Sequence, residues 1–304
     1  MESNNTFNYK KVLRKTKRNE LKNIIKHTTP ARIFFFVFLM VLCLFYIFLL
    51  VWGMYAALKT RTEFIKNSFA WPKDFIGGLN NYSRAWKTMK AGGNSVPTMV
   101  FNAVWYAFGV IGVSSFGTIA FAYVMARFDF PLKKTFNAIN IFYMMFPIMG
   151  SLPAMMKLIL TFGIYDNPLY LLTSVGGFGG GLMIYRVAFR NVPWEFAESA
   201  YIDGASHFRV FIQIMFPQII PLAISQWIGT FGGVWGDAVT PILYMPSYPT
   251  LASGLYTYQI EMERVIDTPM LFAGCIISAI PSLFLFLIGK KFMMNINLSG
   301  GLKG

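Results

Sequence analysis

Cysteine and histidine are nearly missing from this 304-residue chain, with two of each. Cys43 and Cys275 both fall inside apolar runs, where a thiol behaves as a small hydrophobe, and no spacing resembles a disulfide framework or a metal site. His27 and His207 stand alone, which leaves no nucleophile with a base and no metal cluster for an intramembrane enzyme. No GxxxxGK[ST] loop occurs, so the chain has no evident means of hydrolysing nucleotide itself. Charge of either sign is scarce, at 13% against 55% hydrophobic residues. That balance excludes an ordinary soluble domain and calls for runs long enough to cross a bilayer. The net charge of +14 does not mark nucleic-acid binding, because the basic residues gather at the ends of apolar runs instead of forming one stripe.

Against this apolar background one late polar stretch organises the chain: residues 195–217, EFAESAYIDGASHFRVFIQIMFP. Glu195, Glu198 and Ala200 suit a short helix that stops at Gly204, the residue that most easily takes the left-handed conformation. Ser206 can cap a second short helix. That helix carries Phe208, Phe211, Ile212 and Met215 at roughly helical spacing, an apolar face lying outside any span. Pro217 then opens the next hydrophobic segment. The pattern is helix, glycine elbow, helix: a knob suited to docking in a groove of a soluble partner.

Glu198-Ser199-Ala200, Gly204 and Ile214-Met215-Phe216-Pro217 stand in the order and spacing of the EAA loop, and the chain thereby resembles permease subunits of bacterial ABC importers. Ile202-Asp203-Gly204-Ala205-Ser206 resembles the version found in carbohydrate importers of the maltose type. Ser199 replaces the usual second alanine and Phe216 the usual leucine, and both substitutions keep the physics, one small and one apolar. The resemblance implies an all-α type I importer fold with six transmembrane helices. It also implies a second permease subunit, a pair of ATPase subunits below and an extracytoplasmic solute-binding protein above. ATP and Mg would then be held by the ATPase subunits and no cofactor by this chain. The coupling residues carried over are Glu195, Glu198, Ser199, Ala200, Asp203, Gly204, Ala205, Phe208, Phe211 and Pro217.

Read in order, residues 1–32 form a basic tail suited to anionic lipid. The apolar run 33–58 is as long as a full span with tilt, so it reads as a signal anchor and not as a cleaved signal. Residues 59–98 are polar and turn-rich, an extramembrane loop. A five-helix core follows over 99–289, with the cytosolic loop at 190–217 and a short cytosolic tail at 290–304. The spans are 99–125, 136–160, 169–189, 218–244 and 269–288. The third is interrupted by Pro147 and Pro153, which free backbone carbonyls within the bilayer. The fourth has a glycine-rich centre at 176–181, suited either to close helix packing or to local unwinding. The basic turn 127–134 and the end 297–304 are similar to those of the same permeases.

Six spans put both termini on one side. The basic residues place that side in the cytosol, and the resemblance implies that the membrane is a bacterial inner membrane. The exception is a cluster of seven outside, Lys59, Arg61, Lys66, Lys73, Arg84, Lys87 and Lys90.

The fifth span carries Gln226, Trp227, Trp235 and Asp237, a candidate substrate pathway. Amide and carboxylate groups beside aromatic rings suit the hydroxyl edges and C–H faces of a sugar, and an Asp within a span costs roughly 2.5 to 3.5 kcal/mol unless it faces water or protein. The competing reading puts Asp237 at the outer interface and Trp235 in an aromatic belt. Residues 245–268 read as a shaped outer loop, made acidic by Glu261, Glu263 and Asp267. By the same resemblance Tyr256, Tyr258 and Gln259 would meet the binding protein, the alternative being a connector that only closes the outer end. The functional expectation is a permease moving a sugar or oligosaccharide inward at the expense of ATP. The alternative is a secondary transporter of small polar solutes, for which inverted repeats and intramembrane ion ligands would be expected.

Overall fold

A computed structural model describes residues 30–146, 150–261 and 267–299. The basic tail, Pro147, Glu263 and the last five residues lie outside the described residues. The chain divides into two compact units, residues 1–55 and 56–304. The first is represented by α1 (Pro30–Ala56), 27 strongly apolar residues, long enough to cross about 30 Å of hydrocarbon.

The second unit opens with three short helices whose caps are written in the sequence. These are α2 (Arg61–Lys66), α3 (Phe75–Gly78) and α4 (Asn80–Thr88). Thr60 and Glu63 form a reciprocal capping box at α2, and Asp74 Oδ1 accepts the Gly77 N–H at 2.8 Å at α3, each satisfying donors that a helix start leaves open. A two-stranded hairpin follows, β1 (Lys90–Ala91) with β2 (Asn94–Ser95). Its turn residues Gly92 and Gly93 have φ of 52° and 79°, as a two-residue hairpin turn requires.

The spine of this unit is α5 (Val96–Arg127), 32 residues or about 48 Å at 1.5 Å per residue. Where the sequence reads a third span at 136–160, the structure has two helices, α6 (Lys133–Met145) and α7 (Ser151–Thr161). The described part of the break holds Gly150 at φ 75°. Pro153 does not interrupt anything. It sits in the first turn of α7, where its missing N–H has no intrahelical acceptor to lose.

The fourth span is likewise broken. A 3₁₀ helix over Pro168–Ser174 is followed by irregular chain and then α8 (Gly180–Asn191), with Gly179 at φ 127°. Both readings of the glycine run hold. The backbone unwinds at 175–179, and the unwound part packs closely: a Cβ on Gly117 would lie 2.5 Å from the Gly176 carbonyl oxygen, and one on Gly176 would lie 2.3 Å from that of Ser114.

Next come α9 (Glu195–Ile202), α10 (His207–Val210) and α11 (Phe216–Trp235), with one π turn over Phe211–Met215 joining the last two. Pro217 does not separate the loop from the span as the sequence suggests. It lacks the N–H that would bond the Gln213 carbonyl and its ring would crowd that carbonyl, so the helix widens ahead of it, Phe216 N–H reaching Phe211. The rod runs on from residue 207 to 235.

After a break at Gly236, α12 (Val239–Tyr244) and α13 (Leu251–Glu261) follow, and α14 (Thr268–Ser299) is the last element among the described residues. Of the outer segment 245–268, read as a shaped loop, residues 251–261 are helical. α5 packs against α8 and α11, and α11 against α14. Among the described residues, four helices have the length and composition to cross a membrane: α1, α5, the rod 207–235 and the first part of α14.

Candidate coupling loop and membrane pathway

The elbow between α9 and α10 is built by backbone hydrogen bonds. Gly204 N–H donates to Tyr201 O at 3.0 Å and Ala205 N–H to Ala200 O at 2.9 Å, the paired pattern of a Schellman ending, with Gly204 at φ 77°. Ser206 Oγ accepts the Arg209 N–H at 3.4 Å and starts α10.

Two faces result. Ala197, Ala200, Val210, Phe211 and Met215 form the sole and are buried against Tyr123 and Phe189. Phe196, Ile202 and Phe208 stand on the outside, Ile202 at 86% exposure, beside exposed Glu195, Glu198, Ser199, Asp203, Gly204 and Pro217. Ala205 is half-buried. The apolar stripe read from the sequence is therefore split: Phe211 and Met215 belong to the protein's own core, and Phe208 faces out.

Several residues that hold the elbow escaped the sequence. The Tyr201 hydroxyl lies 2.9 Å from His207 Nδ1, and the His207 ring meets the Phe128 ring edge-on at 5.6 Å. His207, isolated in the sequence, is thus a hinge pin between α9, α10 and the end of α5. Arg127 donates to the carbonyl oxygens of Phe189 and Val192 and its guanidinium lies 5.1 Å from the Trp194 ring centre. It caps the end of α8 and ties it to α5. Only the placement of an arginine in the last turn of a long apolar helix hinted at this. Just beyond, Lys133 Nζ lies 2.8 Å from Asp129 Oδ1, and this bond holds the Asp129 carboxyl below the ordinary range.

The four candidate pathway residues separate into two pairs. Gln226 and Trp227 meet Ser114, Ser115, Thr118, Tyr185 and Thr230 around a cleft of about 100 Å³ between α5, α8 and α11. Trp227 Nε1 is buried there with no hydrogen-bond partner among the described residues. Trp235 is turned elsewhere: it is 4% exposed, donates from Nε1 to Ser278 O at 2.8 Å and stacks on Phe231 at 5.2 Å. Asp237 accepts from the Tyr106 hydroxyl at 3.3 Å and from Thr240 N–H at 3.1 Å, holding α12 to α5. Of the outer trio, Tyr256 and Gln259 are exposed on α13, whereas Tyr258 is 8% exposed and part of the core.

A predominantly helical chain with membrane-length helices, broken spans and a helical elbow leading into one of them defines a polytopic membrane transport component. Residues 118–292 match the family of binding-protein-dependent transport system inner membrane components. The chain belongs to that family, as a permease subunit and not an enzyme. It is 24% identical over 280 residues to a probable ABC transporter permease protein, YurM, of Bacillus subtilis strain 168, covering 91% of this chain and 89% of that one. It is 26% identical to the diacetylchitobiose uptake system permease protein NgcG of Streptomyces coelicolor, covering 80% and 79%. With the maltodextrin transport system permease protein MalD of Streptococcus pneumoniae it shares 28% identity, covering 68% and 75%. A chain of a bacterial ABC transporter that imports the polysaccharide alginate has the same fold, with a TM-score of 0.68 at 16% identity over 87% of this chain and 98% of that one.

Proposed function

We propose that this chain is the membrane-embedded permease of an ATP-driven importer for a sugar or oligosaccharide. It would work beside a second permease subunit, with a pair of ATPase subunits docked on the 195–217 elbow and a solute-binding protein delivering cargo from outside. ATP and Mg belong to the ATPase subunits and none of the chemistry of hydrolysis to this chain. Six crossings then follow from α1, α5, α6 with α7, the 3₁₀ segment with α8, α11 with α12, and α14. Both termini would be cytosolic in a bacterial inner membrane.

The observation that carries this reading is the elbow itself. Its outer face offers Phe196, Ile202 and Phe208, while its second helix is one continuous rod with α11. A push on Phe208, at the start of that rod, would reach the Gln226 and Trp227 cleft along one helix. Gln226 and Trp227 are the residues for sugar contact within the membrane, and Tyr256 and Gln259 those for the binding protein. Relatives named for maltodextrin and diacetylchitobiose transport support the carbohydrate assignment.

Purification of the tagged chain from its native membrane tests this. An ATPase subunit and a second permease are expected to accompany it, and Phe208→Asp is expected to lose the ATPase while keeping the permease. Recovery of the tagged chain alone, with solute uptake driven by an ion gradient, would instead favour secondary transport.

A further inference from the structure

The seven basic residues between Lys59 and Lys90 sit on the side where the positive-inside rule expects few, and the structure shows where they go. Lys59 is 1% exposed and donates to the carbonyl oxygens of Asn67 and Ser68 at 3.1 and 2.7 Å. Arg84 pairs with Asp267 at 2.8 Å. Arg61, Lys66, Lys73, Lys87 and Lys90 remain exposed. The two carboxylates in the same stretch are engaged with backbone donors, Glu63 in the α2 capping box and Asp74 on Gly77, so the segment presents its cations outward.

The same stretch exposes its largest apolar side chains. Ile65 is 71% exposed, Phe69 65%, Trp71 80%, Phe75 60% and Ile76 80%. So many in twelve residues is far more than an aqueous surface carries without a purpose. The segment is nevertheless firmly built from behind. Asn81 Nδ2 donates to the carbonyls of Ala57 and Lys59, both at 2.8 Å, and a Cβ on Gly78 would lie 2.0 Å from the Leu58 carbonyl. An anchored, ordered face of this kind is a surface for something.

Its depth says what. Phe64 of α2 meets Phe272 of α14 with ring centres 5.9 Å apart. Phe272 is four residues into α14, about 6 Å along its axis, while Asp267 and Arg84 mark the polar end just before that helix. α2 therefore lies level with the first turn of a membrane-spanning helix, at the height of the lipid headgroups. Aromatic rings with flanking lysine and arginine at that height are the pattern of a surface-lying membrane anchor.

We propose that residues 61–79 form an amphipathic anchor lying in the bilayer interface, with Trp71 and Ile76 among the acyl chains and Arg61, Lys66 and Lys73 on the phosphates of anionic phospholipid. The long aliphatic stems of the cations lie along the apolar surface while their charges reach the headgroups. The assignment holds whichever side of the membrane the segment occupies, and it is independent of the coupling role given to the 195–217 elbow.

Depth measurement by spin label tests it on the full complex. Cys43 and Cys275 are replaced by alanine, and labels are attached separately through Trp71→Cys and Ile76→Cys. The complex is reconstituted in phosphatidylcholine vesicles with and without phosphatidylglycerol. Both labels are expected to meet dissolved oxygen several-fold more readily than a water-soluble nickel chelate. Replacing Arg61, Lys66 and Lys73 together with glutamate is expected to lower that ratio by about twofold or more with phosphatidylglycerol present and to leave it unchanged without it, as a headgroup attraction requires. Labels reached mainly by the nickel chelate in both vesicle types would overturn the proposal, as would labels shielded from both probes, which would mean cover by a protein subunit. A ratio indifferent to the charge reversal would overturn the headgroup contact.

Discussion

The Tyr201 hydroxyl and His207 Nδ1 meet at 2.9 Å across the Gly204 elbow, so the two helices of the loop are joined by a side-chain contact as well as by the turn between them. One belongs to α9 and the other starts the rod that continues into the membrane. Phenylalanine at 201 removes only the hydroxyl, and a hydrogen bond at an exposed site contributes about 0.5 to 1.5 kcal/mol net. Tyr201→Phe is expected to leave assembly intact and to lower uptake severalfold at unchanged ATPase content. Wild-type uptake in membrane vesicles would show the contact to be incidental.

Gly204 has φ 77°, and an added Cβ would have nothing within 4 Å. The cost of substitution there is purely conformational, roughly 1 to 2 kcal/mol for a residue with a side chain. Gly204→Val is expected to hydrolyse ATP with reduced stimulation by loaded binding protein, and Gly204→Asn, which tolerates the left-handed region better, to recover most of it. Equal behaviour of the two variants in a reconstituted ATPase assay would refute the conformational argument.

Gly117 and Gly112 differ in what surrounds them. A side chain at Gly117 would strike the Gly176 carbonyl at 2.5 Å, whereas one at Gly112 would meet nothing within 4 Å. Overpacking costs about 1 to 3 kcal/mol where neighbours are backbone and cannot yield. Gly117→Val should therefore lower the melting temperature in detergent by several degrees or prevent accumulation, while Gly112→Val should match the wild type.

Trp235 and Trp227 lie two turns apart on α11 yet do different work. Trp235→Phe leaves the Ser278 carbonyl without its donor and is expected to destabilise by about 1 to 3 kcal/mol. Trp227→Phe removes an N–H that is buried without a partner among the described residues, so it should not destabilise, and it should shift the KM for transport. Thermal unfolding together with uptake kinetics separates the two.

The Asp129 carboxyl is held below its ordinary range by its bond to Lys133. A carboxylate with a lowered folded-state pKa adds stability that is present above its unfolded pKa and lost as pH falls through the lowered value. Lys133→Met should bring the Asp129 titration up toward the ordinary carboxylate range, as followed by hydrogen exchange in the 128–134 turn at acid pH. An exchange profile identical to the wild type would contradict this.

Periodicity and composition carried the membrane class, four of the spans and the elbow, because lipid demands long apolar runs and a helix stop demands a residue such as Gly204. The breaks were half legible. The glycine run announced irregularity, but Pro153 misled, since whether a proline breaks a helix depends on which turn it occupies. Pro217 misled in the same way: a π turn absorbed it. α13 was hidden by Pro246, Pro249 and Gly254, of which the two prolines precede the helix and Gly254 lets it pack on Met99, where a Cβ would lie 2.0 Å from Sδ. At the site, residue type proposed Phe208 and Phe211 alike. Only packing against Tyr123 and Phe189 told the buried one from the exposed one. Tyr201 with His207, and Arg127 with Trp194, are contacts made by the folded chain, for which no spacing rule exists.

The coupling claim is tested most directly by the amount of sugar delivered per ATP hydrolysed in proteoliposomes of the full complex, comparing wild type with Phe208→Ala. Phe208 is 69% exposed on the elbow, so its truncation leaves the core and the membrane helices untouched. A ratio reduced about tenfold or more is expected with the permease pair still assembled, since loss of a buried aromatic anchor at an interface typically costs 2 kcal/mol or more. An unchanged ratio with the ATPase still bound would contradict it.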